Sequence, residues 1–323
     1  MFFHLRRKEQ IEMTIEYTEP LSRAWNRMTT ALFEPFDIGK WFVLGFTAFL
    51  AGLLNGRIGG GGSRFPGGRN VDWGDVIDFP YTSWGWLVDH AIWFSLIIFG
   101  ISAVIAVSVL LAWLSSRGKF MFLDNVVHER ARVTQPWHQF KMEGNSLFLW
   151  RLLFGIICSA LIVFILIRGF IIAAQIQDEG FHAGLVMTIV GMALFVLSAM
   201  IVIAYISLFL NDFVVPIMYI NNVTTTQAWH RFLSLFARHW FYLILYGLLV
   251  LVLRFFVIIS LVLAGLFTCC LGFVLLAIPY IGSVVTLPIS YTFRAFSLEF
   301  LEQFGPDYTI FPRPQDATAS EPI

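Results

Sequence analysis

Six long apolar runs, at about 38–55, 91–114, 147–174, 184–210, 241–267 and 271–292, constrain this chain more than any other feature. A hydrocarbon core about 30 Å thick is matched by about 20 consecutive apolar residues in a helix. The balance of residues agrees: 58% are hydrophobic and 13% charged. Soluble domains carry about 25% charged residues, and half of that leaves too little polar surface to coat a soluble particle. The expected fold is an all-α integral membrane protein. Six transmembrane helices pair as three hairpins within a single polytopic domain, 1–323.

The first run is the short one, because Lys40 and the Asn55-Gly56-Arg57 stretch bracket only fourteen uninterrupted residues. That length also suits a re-entrant segment, so charge must decide. If all six runs cross, one side collects fifteen Lys and Arg, from the N-terminal arm, the loops 115–146 and 211–240, and the tail. The other side holds three: Arg57, Arg64 and Arg69. Cytoplasmic loops are enriched in Lys and Arg, which predicts both chain ends on the cytoplasmic side. Trp41, Trp93, Trp113, Trp150 and Trp240 fall at or near the expected helix ends, where an amphipathic ring sits among headgroups.

A short pattern recurs ahead of the first, third and fifth runs. It reads Ala24-Trp25-Asn26-Arg27-Met28, then Thr134-Gln-Pro-Trp137-His138-Gln-Phe140, then Thr226-Gln-Ala-Trp229-His230-Arg231-Phe232. The last two share five of seven residues at a spacing of 92. Each is amphipathic at helical spacing, with apolar Leu21, Trp25, Met28 and Leu32 in the first. Tryptophan beside Arg27, His138, His230 and Arg231 suits short helices lying in the headgroup layer. Thr134 and Thr226 are expected N-caps. Each hairpin is thus preceded by an interfacial helix, giving repeat units of about 20–114, 133–210 and 226–292.

These Ala/Pro-Trp-x-x-Met/Phe segments, with the stretches Trp113–Asp124 and Asn211–Met218, resemble a loose group of uncharacterised bacterial multi-pass proteins. That group is similar to the membrane domain fused to some glycerophosphodiester phosphodiesterases. The resemblance covers most of the chain. It implies a six-helix fold in the bacterial inner membrane and no established activity. The soluble phosphodiesterase barrel has no counterpart in these 323 residues, so its catalysis is not implied.

Candidate sites are few. Arg254 lies about fourteen residues into the fifth run, roughly 21 Å deep at 1.5 Å per residue, and a charge at depth faces a cavity or a partner. No acid lies at depth in any run, so Arg254 is expected to hold a phosphate from the outer leaflet, or to snorkel, or to meet carbonyls or a loop acid such as Asp72, Asp75 or Asp78. Arg168 is expected at the outer interface near Asp178 and Glu179. Pro279, Gly282 and Pro288 mark a candidate hinge in the sixth run, since proline removes a donor and kinks a helix. The Gly-rich loop 55–90 lacks the Gly-Lys-Ser/Thr ending of a phosphate loop and reads as a flexible extracytoplasmic linker. The tail 305–323 is polar and Pro-bearing, and reads as disordered.

His128-Glu129 lacks a second metal-ligating His, and Cys158, Cys269 and Cys270 have no zinc-type spacing. No metal site and no cofactor is expected. Net charge is zero, so nothing suggests a nucleic-acid or acidic partner, and no nucleic acid is expected. Intramembrane catalysis needs a nucleophile with a base, paired carboxylates or metal ligands, and the runs offer none of these. The expected role is non-catalytic, organising membrane lipids or partner proteins, with a protein partner or homo-oligomer left open. The alternative is a transporter of lipid or of a hydrophobic or anionic small molecule.

Overall fold

The computed structural model describes residues 15–53, 89–179, 182–268 and 271–311. The linker 55–88, Asp72, Asp75 and Asp78, the cysteine pair and most of the tail lie outside them, as do the side chains of Asp178 and Glu179. The described residues are helical and include no strand. In chain order the helices are α1 (Thr18–Phe33), α2 (Ile38–Gly52), α3 (Ala91–Val127), α4 (Thr134–Gln139), α5 (Lys141–Glu179) and α6 (Ala183–Phe209). A π-helical turn, Leu210–Val214, leads into α7 (Val215–Asn221) and α8 (Thr225–Phe267). Then come α9 (Leu271–Ala277), α10 (Pro279–Val285) and α11 (Leu287–Glu302).

Four of these are long and apolar enough to cross a membrane: α3, α5, α6 continuing through α7, and α8. The first and sixth runs behave differently. Helix α2 has 15 residues, about 22 Å at 1.5 Å per residue, short of a 30 Å core. The sixth run is not one helix but three pieces, α9, α10 and α11. Its breaks fall at Ile278, whose backbone is extended, and at Thr286. Pro279 is the first residue of α10 and Pro288 the second of α11, first-turn positions where a missing N–H costs nothing, and Pro279 also drives Ile278 out of helical geometry.

The chain divides into two compact units. The first comprises 1–59, 114–147 and 208–323. Its middle is the C-terminal third of α3: all thirteen residues from Ser115 to Val127 are buried. The loop expected over 115–146 is therefore mostly helix, extended because this segment is enclosed by packed neighbours. Gly118 permits the approach of α2, since a Cβ there would lie 2.6 Å from Leu50 Cβ and 2.7 Å from the backbone of Leu50 and Ala51. Around this post, α1 packs on α11 through Ala24, Met28, Ala31 and Leu32, and α2 packs on α10, with Gly45 against Val284. An aromatic core fills the rest. The Tyr246 ring lies 4.5 Å from Phe300, 5.0 Å from Phe213 and 5.4 Å from Phe296, and Phe213 stacks on Phe232 at 5.6 Å.

The second unit comprises 60–113 and 148–207. Its helical segments expose large apolar side chains over much of their length, among them Ile92, Phe99, Val104, Ile156, Leu166, Met187, Leu194 and Met200. Phe164 and Phe195 join α5 to α6 edge to face at 6.2 Å. Apolar surface of this extent is unfavourable in water by about 25 cal/mol per Å² and marks contact with lipid or protein.

The three amphipathic segments do not share one form. The first is the separate helix α1 and the second the six-residue α4. The third is the start of α8, set apart from the remainder by a kink at His239, φ −129° and ψ 32°. Thr224, rather than Thr226, caps it in a reciprocal pair with Gln227.

Candidate functional site

A helix segment buried on all sides must find a partner for every polar group it carries. Between Ser115 and Val127 those groups are well supplied. Ser115 donates to Ala51 O at 3.1 Å, and Asn125 exchanges two 2.9 Å bonds with the Arg132 backbone. Arg117 donates to Asn145 and lies 4.9 Å from the Trp137 ring centroid. Asp124, 1% exposed, accepts from Arg130 Nη2 at 2.9 Å and Tyr219 Oη at 3.0 Å, with His128 Nδ1 at 3.3 Å. The hydrogen bond to Asp124 holds the His128 imidazole above its ordinary value, against the opposing effects of burial and of Arg130.

A second charged constellation forms where α3, the π-turn, α8 and α11 meet. The Lys119 ammonium, 2% exposed, donates to Asn211 Oδ1. Arg294 Nη1 donates to the Asn211 carbonyl at 2.7 Å. The wider π-helical turn carries both Asn211 and the next residue, Asp212, and such turns occur often at functional sites. Tyr246 donates its hydroxyl to Asp212 Oδ2 at 3.2 Å. Arg254, Arg294 and Lys119 all act on the Asp212 carboxylate electrostatically. Arg254 makes no hydrogen bond and no ion pair among the described residues; its guanidinium lies 5.8 Å from the Phe293 ring centroid. Three cations thus act on one carboxyl group.

Sequence reasoning singled out Arg254 and missed its company. Among the described residues the acid that Arg254 acts on is Asp212, which lies just past the fourth run and reads as a loop residue; the loop acids expected for it, Asp72, Asp75 and Asp78, lie outside the described residues. Lys119 and Arg294 likewise read as loop charges. A signal was there: Lys119, Asn211 and Arg294 each follow a serine (Ser115, Ser207, Ser290) by four residues at the ends of the second, fourth and sixth runs.

The other expected residues scatter. Trp25 is 57% exposed, because the buried face of α1 is centred on Ala24 and Met28 instead. Arg27 pairs with the buried Glu299 at 2.5 Å and lies 3.7 Å from the Phe311 ring centroid. Trp137 meets Arg117, and Trp229 packs edge-on against Phe232 at 5.7 Å. His138, His230 and Arg231 are exposed. Arg168, in the second unit, lines an open groove with Phe164, Ile172, Met192 and Phe195. Gly282, between the two prolines, is needed for packing: a Cβ there would lie 2.7 Å from the Leu276 carbonyl oxygen.

Among the described residues the structure is helical, and four helices long and apolar enough to span a membrane make it consistent with a membrane protein. More particularly, the chain belongs to a family of unknown function (DUF7544), whose model matches residues 16–287. No curated protein and no solved structure matches the chain.

Proposed function

We propose that this chain is a non-catalytic, six-span protein of the bacterial inner membrane that binds acidic lipid and organises lipid or partner proteins around itself. One observation carries the reading. Amphipathic helical segments with Trp25, His138, His230 and Arg231 turned outward stand ahead of helices whose sides are exposed and apolar. Such segments lie in the headgroup layer and attract anionic lipid. Crossing by α2, and by α9 to α11 together, completes six spans with both ends cytoplasmic, the arrangement that the charge asymmetry favours. The meeting of Lys119 and Arg294 on Asn211 supports a threefold internal repeat, since the three occupy corresponding places after Ser115, Ser290 and Ser207. The resemblance to the membrane domain of glycerophosphodiester phosphodiesterases belongs to this proposal and adds no chemistry to it.

Transport of a lipid or an anionic small molecule is the second reading. The broken course of α9, α10 and α11 favours it, because interrupted helices line transporter sites and α11 carries Arg294. Native mass spectrometry of the chain, extracted gently from its own membrane, tests the proposal. Retained acidic phospholipid on a lone chain is the expected result. A stoichiometric protein partner without lipid would make it a subunit instead, and a bare chain would overturn the lipid reading.

A further inference from the structure

We infer that the Asn211-Asp212 turn and the three cations around it form a binding site for a phosphate-bearing anion, with Arg254 as the residue that engages it. The inference deepens the lipid-binding reading and rests on it for the source of the phosphate. Lys119 and Arg294 are held by neutral oxygens of Asn211, which fix their positions without cancelling their charge. Asp212, with the Tyr246 hydroxyl donating to it, supplies at most one negative charge. Three cations thus meet one carboxyl group, an arrangement that is costly in a chain of this class unless an anion helps to answer it.

A purely structural cluster would close Arg254 onto Asp212. Instead, among the described residues, Arg254 forms no hydrogen bond or ion pair, and its exposed guanidinium rests beside Phe293 with its donors unspent. A planar five-donor fork on an accessible side chain matches the paired oxygens of a phosphate. A phosphodiester with one charge, or a phosphomonoester with nearly two, supplies such an anion. Asp212 then has a definite part: it holds the Tyr246 hydroxyl and weakens the field, so that the anion can leave.

The test uses the full chain in a neutral detergent, with the shift in melting temperature followed during titration with phosphatidylglycerol, phosphatidylcholine or inorganic phosphate. The wild type is expected to respond to phosphatidylglycerol and not to phosphatidylcholine. Arg254→Gln, on an exposed side chain, should need about tenfold more phosphatidylglycerol, the loss of one charge-assisted contact. Asp212→Asn should need several-fold less, a gain that a structural role does not produce; if it fails to fold, Arg254→Glu should abolish the response. Response to inorganic phosphate alone would keep the site and reject the lipid as its source. An Arg254→Gln titration matching wild type, or weaker binding by a folded Asp212→Asn, would overturn the site while leaving lipid binding standing. A wild type that responds to neither phosphate source would overturn both.

Discussion

Removing the Asp124 carboxylate should be the most damaging single change in the first unit outside its apolar core. The side chain is 1% exposed and accepts from Arg130 at 2.9 Å and Tyr219 at 3.0 Å, with His128 at 3.3 Å. A hydrogen bond to a charged group contributes about 1.5–3 kcal/mol and a neutral one about 1. Breaking a buried ion pair from one side costs about 3–5 kcal/mol, because the other charge stays behind. Asp124→Ala should therefore destabilise by about 3–5 kcal/mol. At about 2–4 °C per kcal/mol, the melting midpoint should drop on the order of 10 °C. Asp124→Asn keeps one acceptor oxygen and should lose less. Arg130→Ala combined with Asp124→Ala should fall short of the sum of the two, since the partners share one interaction. The assay is the fraction of monodisperse protein left after heating in detergent, read by fluorescence-detected gel filtration. A midpoint for Asp124→Ala within about 3 °C of wild type, or strict additivity with Arg130→Ala, would refute the reasoning.

Three further outcomes are expected. His128 has its proton affinity raised in the fold by Asp124, so its contribution is complete below the ordinary histidine value of about 6.5 and is lost as pH rises through the raised folded value. Melting temperature should thus fall more from pH 6 to pH 8 in the wild type than in His128→Gln, and parallel pH profiles would dismiss the pairing. Gly118→Val places a Cβ against the Leu50 and Ala51 backbone, which cannot yield as a side chain could. It should cost about 1–3 kcal/mol or more, visible as a lower yield of monodisperse protein. Leu32→Ala, at a fully buried position of α1, should cost about 2–5 kcal/mol, and a neutral result in the same heating assay would mean that α1 is not firmly docked.

The parts of the fold written as long apolar runs were legible, because lipid-length hydrophobicity leaves a signal that no tertiary contact is needed to read. α3, α5, α6 and α8 follow it. Boundaries were not legible where burial replaces amphipathicity. From Ser115 to Val127 the helix is enclosed on all sides, so Arg117, Lys119 and Asp124 look like loop charges while serving as paired interior groups. Residues 211 and 212 were hidden in the same way. Their meaning depends on Tyr246 and Arg254 some forty residues later in the chain and Arg294 further on, and pairing at that distance carries no periodicity. Arg254 itself stood out because an isolated cation in an apolar run violates a local rule. The prolines of the sixth run were visible for the same reason, and the breaks fall one residue ahead of Pro279 and two ahead of Pro288.

The claim on which the rest depends is that α1, the cluster at Asn211-Asp212 and the start of α8 share the cytoplasmic side, with α2 crossing. Single cysteines introduced at Thr18, Ser63, His182 and Asn222, after replacing Cys158, Cys269 and Cys270, test it most directly through labelling of intact cells with a membrane-impermeant maleimide. The account predicts labelling at positions 63 and 182, and protection at 18 and 222 until the cells are opened. Equal labelling at 18 and 63 would place both ends of α2 on one side and contradict it.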